Sequence, residues 1–264
     1  PHMSEYVGGH YKVRTYLSGF TGSNGTLVVG LKEANLWTDG RYFVQAADEL
    51  NGSTIGLMKM GQRDVPTIIS YLDKNLKKGD KIFFNGNLIS ISMGQALEEV
   101  AAKHNGQVIY DSELFDDILN KLWTERPEDS AKEIYTLPSK VHGENTIKKL
   151  QRVRKHLEEK NADYIFISKL DDQMWLFNIR GGDIGCNPVA YSYTLIGKNK
   201  AYICLKDASL SDKLIKYFDK NAVSIISYNK LSSLIKKAKG KLLLDKDGTS
   251  YGVYKRLEEN CQIV

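Results

Sequence analysis

The segment AYSYTLIGKNKAYICL, from Ala190 to Leu205, decides the fold class. Apolar and β-branched residues fill Ala190 to Ile196 and Lys200 to Leu205, and the turn-forming sequence Gly197-Lys198-Asn199 separates the two runs. This pattern predicts an antiparallel hairpin. Because helical patterns flank the hairpin on both sides, the sheet that contains it is expected to be mixed rather than purely parallel.

Outward from the hairpin, strand and helix patterns alternate along the chain. Strands are predicted at Thr26–Val29, Ala34–Trp37, Thr54–Met58, Lys81–Phe84, Gln107–Tyr110 and Asp163–Ser168. Helices are predicted at Arg41–Leu50, Val65–Leu76, Ser92–Lys103, Leu114–Trp123 and Glu144–Lys160, and helices and strands alternate again from Ser209 to Asn260. The sequence therefore predicts an α/β protein in which helices cover the sheet of each half.

Two of these helices have apolar faces that we expect to be buried. In the first, the expected core residues are Phe43, Val44, Ala46, Ala47 and Leu50. In the long helix of the second half, they are Ile147, Leu150, Val153 and Leu157. Paired basic residues such as Lys148–Lys149 are typical of solvated helix faces, so we expect both lysines in water.

The length of the chain and a polar, proline-containing stretch near its middle predict two domains. A domain takes roughly 100–200 residues, and this chain has 264 residues. The polar stretch Thr124–Asp129 contains Pro127 and is typical of a domain junction. We therefore place the domains at residues 1–126 and 127–264.

Composition narrows the class of protein. The net charge of +5 is mild and its basic residues form no stripe with interleaved aromatics, so no nucleic-acid partner is expected. No apolar run reaches the roughly 18 residues of a membrane span, and we see no signal peptide, so no membrane partner is expected. Three widely spaced cysteines without a CxxC pair disfavour both a zinc site and a disulfide framework, which fits the cytoplasm.

Sequence motifs for chemistry are few. No P-loop, HExxH or GxSxG pattern occurs, and none of the five histidines has a partner at metal-ligand spacing. Asp171-Asp172 and the segment Asp245–Thr249 are expected to cap helices, the latter after a turn. The glycine-rich stretch Gly19–Thr26 precedes a strand pattern instead of a helix, which favours a tight turn feeding a buried strand over a phosphate cradle. For the second glycine-rich stretch, Asn178–Pro188, a cleft-lining loop and a simple corner remain equally open.

Several long motifs, in order, resemble the Xaa-Pro aminopeptidase (aminopeptidase P) family. They are Ser18-Gly-Phe-Thr-Gly-Ser-Asn-Gly-Thr26, Trp37-Thr-Asp-Gly-Arg-Tyr-Phe43, Leu57-Met-Lys-Met-Gly61, Trp123-Thr-Glu-Arg-Pro127, and Trp175-Leu-Phe-Asn-Ile-Arg-Gly181 with Asp183, Asn187-Pro188 and Ser192-Tyr193. The resemblance runs from near residue 4 to the end and is closest to the large, three-domain branch.

The resemblance implies an architecture and an activity. It implies two ribonuclease-H-like (creatinase N-terminal-like) domains, each a mixed sheet flanked by helices, and a following catalytic domain. That third domain would bind two divalent ions, manganese by resemblance, through five ligands that fall outside this chain. The family's metal-dependent enzymes remove the N-terminal residue from peptides with proline second. We therefore expect no cofactor in this chain and no activity from it alone.

The same resemblance gives expectations for the chain's ends and partners. The chain stops at Val264, about where the third domain would begin, and the first domain would lack its N-terminal helix and strand. His2 and Ser4-Glu5-Tyr6 match the family's D-x-H-x-S-E-Y, which favours native residues over a cloning remnant. Expected partners are the chain's own catalytic domain, a second subunit in a homodimer, and proline-containing peptides.

Six residues are candidates for a substrate cleft or a dimer contact: Asp39, Arg41, Tyr42, Arg180, Asp183 and Asn187. Arg41 follows Asp39-Gly40 at the start of a helical pattern. It either bridges locally to Asp39 or Asp48, or enters the cleft of a partner subunit, as first-domain residues of the related creatinases do. Two other functions stay open: a stand-alone binding module without catalysis, and a creatinase-like amidinohydrolase.

Overall fold

The computed structural model describes residues 2–129 and 131–264. Its contacts divide the chain into two compact units. The N-terminal unit comprises residues 5–84 and 95–128; the C-terminal unit comprises residues 85–94 and 129–264 together with the residues before Glu5. The domain limits inferred from the sequence, 1–126 and 127–264, stay a prediction.

The N-terminal unit contains a mixed sheet of three strands and a separate parallel pair. The strands are β1 (Thr26–Val29), β2 (Ala34–Thr38), β3 (Ile55–Lys59), β4 (Lys81–Phe83) and β5 (Gln107–Ile109). The helices are α1 (Val13–Ser18), α2 (Phe43–Glu49), α3 (Ile68–Asn75), α4 (Ile91–Lys103), of which residues 95–103 belong to this unit, and α5 (Ser112–Leu122), with 3-10 turns at Gly9–Tyr11 and Gly40–Tyr42. β2 pairs antiparallel with β1 and parallel with β3, and β4 pairs parallel with β5. Phe20, Leu36, Ala46 and Leu50 form the core beneath β2.

The C-terminal unit is built on one six-stranded mixed sheet. The strands of the whole unit are β6 (Tyr135–Thr136), β7 (Tyr164–Ile167), β8 (Ile179–Arg180), β9 (Tyr193–Gly197), β10 (Ala201–Leu205), β11 (Val223–Ser227), β12 (Gly240–Leu244) and β13 (Cys261–Ile263). Its helices are α6 (Ser139–His142), α7 (Thr146–Glu159), α8 (Leu170–Leu176), α9 (Asp212–Lys220), α10 (Leu231–Ile235) and α11 (Tyr251–Glu258), with 3-10 turns at Asp207–Ser209 and Tyr228–Lys230. The sheet order is β11-β10-β9-β7-β12-β13, while β6 and β8 form a separate antiparallel pair.

The predicted hairpin is confirmed as β9 and β10, which pair antiparallel with Tyr202 opposite Leu195. β9 also pairs antiparallel with β7, whereas the remaining pairs of this sheet are parallel, so the sheet is mixed as expected. Every residue of β9 is buried. A strand covered on both faces in this way gives the continuous apolar run seen in the sequence.

Residues 85–94 pack within the C-terminal unit although they precede the predicted junction. The backbone N–H groups of Tyr251 and Gly252 donate to the carbonyls of Ile89 and Gly86 at 2.8 and 2.7 Å. A Cβ atom on Gly94 would lie 2.2 Å from Cδ2 of Tyr251. This position therefore needs glycine, because any side chain would overlap the buried tyrosine ring.

Several local predictions were wrong in detail. The helix expected at Arg41 begins as a 3-10 turn, and two of its expected core residues are exposed instead of buried: Val44, at 78%, and Ala47. Ile147 on α7 is likewise 46% exposed, so the buried stripe of α7 is narrower than the apolar pattern. β1 is half exposed at the sheet edge, which corrects the expectation of a buried strand after the glycine-rich turn.

Three predictions about charged residues also need correction. Asp171 and Asp172 lie in the first turn of α8 after its N-cap Lys169, so they face the helix dipole without capping it. Asp245 closes the predicted turn by accepting the N–H of Asp247 at 2.9 Å, but the N-cap of α11 is Ser250. Lys149, expected in water, is 2% exposed.

No helix in residues 2–129 and 131–264 combines the length and apolar composition needed to cross a lipid bilayer.

Candidate functional site

One tight turn brings Asp39, Arg41 and Tyr42 together at the end of β2. β2 is buried up to Thr38, and Asp39 then caps the 3-10 helix Gly40–Tyr42. The Asp39 Oδ1 atom accepts the backbone N–H of Arg41 at 3.0 Å. The Arg41 guanidinium carbon lies 5.3 Å from the centre of the Tyr42 ring. Three of the six candidate residues therefore lie together on one turn.

Arg41 and Asp39 form a two-bond ion pair at the surface. Arg41 Nε donates to Asp39 Oδ1 and Arg41 Nη2 to Asp39 Oδ2, both at 2.9 Å. The Arg41 side chain is 60% exposed, and its Nη1 atom lies 3.7 Å from Glu5 Oε1. Of the two local partners that the sequence left open, Asp39 and Asp48, the structure selects Asp39. The guanidinium is therefore oriented by one carboxylate while most of its surface stays accessible.

The ion pair fixes the charge of both partners. The bonds from Arg41, and next the bond from Asn24 Nδ2 at 2.6 Å, hold the pKa of Asp39 well below its usual range. The same contact with Asp39 raises the pKa of Arg41 above its ordinary value. Both groups are consequently charged at any physiological pH. The turn presents a fixed positive group, which suits recognition of a carboxylate or carbonyl oxygen.

The glycine-rich turn Gly19–Thr26 supports Tyr42. A Cβ atom on Gly22 would lie 2.2 Å from Cζ of Phe20 and 2.8 Å from Cδ1 of Tyr42, so only glycine fits between the two rings. The Arg14 guanidinium donates to the carbonyl of Gly22. Carbonyls of the glycine-rich turn thus face the Arg14 side chain. The stretch is a packed turn and not a phosphate cradle, which is the alternative that the sequence favoured.

A short hydrogen-bonded chain links Tyr42 to the segment that carries Glu5. The Ser23 hydroxyl lies 2.7 Å from the Tyr42 hydroxyl and donates to Glu5 Oε1 at 2.9 Å. Glu5 therefore connects Ser23 to the Arg41 head group. Sequence reasoning did not select Glu5 or Ser23 as site residues, although both lie in the quoted motifs.

The other three candidates belong to the C-terminal unit: Arg180 ends β8, and Asp183 and Asn187 lie on the loop that follows it. Arg180 Nη1 donates to the carbonyls of Met174 and Ile179 at 3.1 and 2.7 Å. The Asn187 backbone N–H donates to the carbonyl of Ile184 at 3.2 Å and closes a tight turn. The loop's backbone is thus held locally at both ends.

Asp183 ties this loop together. Its Oδ1 atom accepts the backbone N–H of Lys132 at 3.0 Å, and its Oδ2 atom accepts the backbone N–H of Tyr191 at 2.8 Å. A Cβ atom on Gly181 would lie 2.7 Å from the Cβ of Ala190, so the two sides of the loop approach as closely as a glycine permits. Of the two alternatives, a cleft-lining loop and a simple corner, these contacts of Asp183 favour a corner, because its carboxylate joins the two sides of the loop.

Lys149 is the main residue near this loop that sequence reasoning missed. Its Nζ atom donates to the carbonyl of Trp175 at 2.7 Å and to Asn178 Oδ1 at 2.6 Å, and lies 4.1 Å from the centre of the Trp175 ring. Burial is the largest cause that lowers the pKa of Lys149. Asn178 has a positive φ of 52°, a conformation that asparagine tolerates better than most residues. Lys149 thus fixes the residue from which the loop departs.

The residues fit no metal centre within the part of the chain that is described. There, no group of three or more histidine, cysteine, aspartate or glutamate side chains is placed to hold a metal ion. No step of a metal-assisted reaction is therefore assigned to these residues.

Two family models match the chain, and both are described as the creatinase/prolidase N-terminal domain. One covers residues 10–118 and the other residues 125–264. Together with the structural match below, they confirm the predicted fold class of two creatinase N-terminal-like domains.

Curated proteins similar to this chain are Xaa-Pro aminopeptidases. The chain is 36% identical over 236 residues to Xaa-Pro aminopeptidase app-1 of Caenorhabditis elegans, covering 89% of this chain and 38% of that protein. It is 30% identical over 266 residues to aminopeptidase P2 of Arabidopsis thaliana, covering 99% of this chain and 37% of that protein. The chain therefore spans less than two fifths of the length of these relatives.

A solved structure gives the same likeness. The X-prolyl aminopeptidase of C. elegans, described as a cytosolic enzyme with a di-nuclear active site, superposes with a TM-score of 0.91 at 32% identity. The match covers 98% of this chain and 43% of that one.

Proposed function

The chain belongs to the creatinase/prolidase N-terminal domain family, and from that premise we propose that it is the non-catalytic N-terminal region of an Xaa-Pro aminopeptidase. The full-length protein would remove the N-terminal residue from peptides with proline in the second position. Proline has no N–H and imposes a distinct backbone geometry, which ordinary aminopeptidases accept poorly. The two units would shape the substrate cleft, restrict access to it and support a homodimer.

The observation that carries this proposal is the coverage of the matches. The similarity to the C. elegans enzyme takes in nearly all of this chain but only 43% of that enzyme. We place the two divalent ions, manganese by family resemblance, in the region that follows this chain in the full-length protein. When bound, they would activate a water and polarise the scissile carbonyl. We also assign the protein to the cytoplasm, since the C. elegans relative is described as cytosolic.

We further propose that Arg41 reaches the substrate cleft of the partner subunit. Asp39 orients its guanidinium, Glu5 lies 3.7 Å from it, and the Arg41 side chain is still 60% exposed, so it can bind a further oxygen without breaking a buried contact. Asp39 and Tyr42 would hold the guanidinium in place. Arg180 and Asp183 would instead shape the loop that presents Asn187.

The test compares three proteins with an Xaa-Pro peptide and manganese: this chain, the full-length protein, and the full-length Arg41→Ala variant. We expect turnover from the full-length protein and none above blank from this chain. A charge-assisted bond lost in the cleft predicts that Arg41→Ala lowers kcat/KM by roughly 10- to 100-fold, with dimer mass unchanged.

Three outcomes would refute parts of the proposal. Turnover that follows this chain through purification would refute its non-catalytic role. An inactive full-length protein that retains peptide binding would support a stand-alone binding module instead. An unaltered kcat/KM in Arg41→Ala would refute the cleft role of Arg41 and leave it only its local ion pair with Asp39.

A further inference from the structure

Three tyrosines of the C-terminal unit surround the imidazole of His2. Tyr193 stacks on it with ring centres 4.1 Å apart and an interplanar angle of 27°. Tyr191 stacks at 5.6 Å and 13°, and Tyr228 lies tilted at 5.9 Å. We call Tyr191, Tyr193 and Tyr228 the tyrosine slot. Neither the fold nor the proposed function accounts for it.

The slot holds the imidazole almost completely out of water. His2 is 5% exposed, and its Nε2 atom is buried without a hydrogen-bond partner within the described residues. A backbone hydrogen bond with Ser168 engages the ring as well, and it must use the other nitrogen. A neutral ring with its proton on Nδ1 leaves only a lone pair unpaired, whereas a protonated ring would bury an N–H donor and a positive charge.

The positively charged groups around the slot disfavour protonation of the His2 ring. Lys206 Nζ lies 4.8 Å from the centre of the Tyr191 ring and is bound to Asp129 Oδ1 at 2.6 Å. Arg256 and the buried thiol of Cys204 are the other ionisable groups that act on Tyr193. Burial is the largest cause that holds the pKa of His2 well below 6.5; the charge of the N-terminal amine and, more weakly, that of Lys206 add to it, while the bond with Ser168 opposes them.

We propose that the tyrosine slot is a recognition site for an unprotonated imidazole, occupied by His2 of the chain's own N-terminal segment, and that protonation of the ring empties it. Stacking on Tyr193 and Tyr191 supplies the attraction, since aromatic rings at these spacings attract each other beyond their burial alone. The slot thus holds the N-terminal segment at neutral pH and releases it in acid.

The direction of the pH dependence follows from proton linkage. The folded protein binds the proton on His2 less readily than the unfolded chain, whose imidazole has the ordinary pKa of 6.5. The stability contributed by the slot is therefore fully present above about pH 6.5 and is lost as the pH falls below that value.

The first experiment measures melting temperatures of this chain at pH 7.5 and pH 5.0. Emptying the slot with His2→Ala is expected to lower Tm by about 3–8 °C at pH 7.5 and by much less at pH 5.0. His2→Phe keeps a stacked ring that cannot titrate, so its Tm stays near that of the wild type at pH 7.5 and exceeds it at pH 5.0. His156→Ala, at an exposed histidine of the same unit, serves as the matched control and changes neither value.

The second experiment restores the ligand from solution. Imidazole at about 20 mM and pH 8 is expected to raise the Tm of His2→Ala by a few degrees and to leave the wild type unchanged, because a ligand stabilises only the state that binds it. At pH 5, where imidazole is protonated, the rescue disappears.

Equal losses for His2→Ala at both pH values, or a His2→Phe protein with the wild-type pH dependence, would overturn the protonation step. Failure of imidazole to rescue His2→Ala would overturn the recognition site itself. For the wild type, NMR should find the His2 ring still neutral at a pH where free imidazole is protonated, and ordinary titration of that ring would refute the proposal.

Discussion

The chain contains two arginine–aspartate motifs built around glycine, and they behave in opposite ways. In Asp39-Gly40-Arg41 of the N-terminal unit, the two side chains bind each other through two hydrogen bonds and stay near the surface. In Arg180-Gly181-Gly182-Asp183 of the C-terminal unit, neither side chain needs the other, because Arg180 donates to backbone carbonyls and Asp183 accepts backbone N–H groups.

The difference comes from what the backbone leaves unsatisfied. After β2 the chain enters a 3-10 turn that Asp39 caps, and Asp39 also binds the Arg41 guanidinium, so the 60% exposed Arg41 side chain is held in position and stays accessible to an outside ligand. After α8 the chain passes through β8 into a loop, where Arg180 donates to the carbonyls of Met174 and Ile179 and Asp183 accepts the backbone N–H groups of Lys132 and Tyr191. The first motif is therefore suited to binding, and the second to holding a loop. Substitutions can separate these roles.

The largest expected effect is on Asp183. Asp183→Ala leaves the N–H groups of Lys132 and Tyr191 without their acceptor, so we expect a loss of about 2–4 kcal/mol in the free energy of unfolding. Urea unfolding of this chain measures it. Asp183→Asn keeps one acceptor oxygen and should lose about half as much.

The exposed Asp247→Ala is the control for Asp183 and should change the free energy of unfolding by less than about 0.5 kcal/mol. If Asp183→Ala were as mild as this control, the contrast between the two motifs would fail.

A smaller effect is expected at Lys149, which anchors the start of the same loop. Lys149→Met would leave Asn178 Oδ1 without its donor and the carbonyl of Trp175 with only the backbone N–H of Asn178, but it also removes a buried charge. We expect a net loss of about 1–2 kcal/mol, measured in the same urea titration. The neighbouring Lys148→Met is matched in chemistry but exposed, and it should be neutral. Equal effects of the two substitutions would contradict the burial of Lys149.

Lys149 also illustrates what the sequence could not predict. Its neighbours Lys148 and Arg152 are exposed, and nothing in the spacing of basic residues along α7 distinguishes the one that is buried. Burial depends on Asn178 and Trp175, which are 29 and 26 residues away in sequence. Long-range polar partners of this kind have no local signal.

The elements themselves were predictable because periodicity is local. The hairpin β9–β10, the strands β1 and β2 and the helix α7 all follow from apolar spacing, and their type is confirmed. Helix starts were less accurate, since Thr67 caps α3 after Pro66 and so delays it relative to the apolar pattern. The exposure of Val44 was missed for a different reason: an apolar residue on a helix is no guarantee of a neighbouring element that covers it.

The candidate site was partly predictable. The motif Trp37–Phe43 placed Asp39, Arg41 and Tyr42 on one turn, and the structure keeps them together. Glu5 and Ser23 were missed because their contacts to this turn span 36 and 19 residues of sequence.

The smallest expected effect tests the surface pair in this chain. Arg41→Ala should shift Tm by less than about 1 °C at neutral pH and 150 mM salt, because exposed ion pairs are screened and contribute little. Its consequence is instead visible in the titration of Asp39. Arg41 is the largest cause of the lowered pKa of Asp39, so its removal should raise that pKa toward the usual range, while the bond from Asn24 keeps part of the shift.

Carboxyl NMR of Asp39 between about pH 1.5 and 5 would measure this change against the ordinary aspartate pKa of about 3.9. Because the folded pKa of Asp39 is lowered, any stability from the pair is present above about pH 3.9 and is lost as the pH falls toward the folded value. The Tm of the wild type and that of Arg41→Ala should therefore converge in acid. An Asp39 titration that is identical in both proteins would mean that the pair is not formed in solution, and that Arg41 is not oriented for an outside ligand in the way this comparison requires.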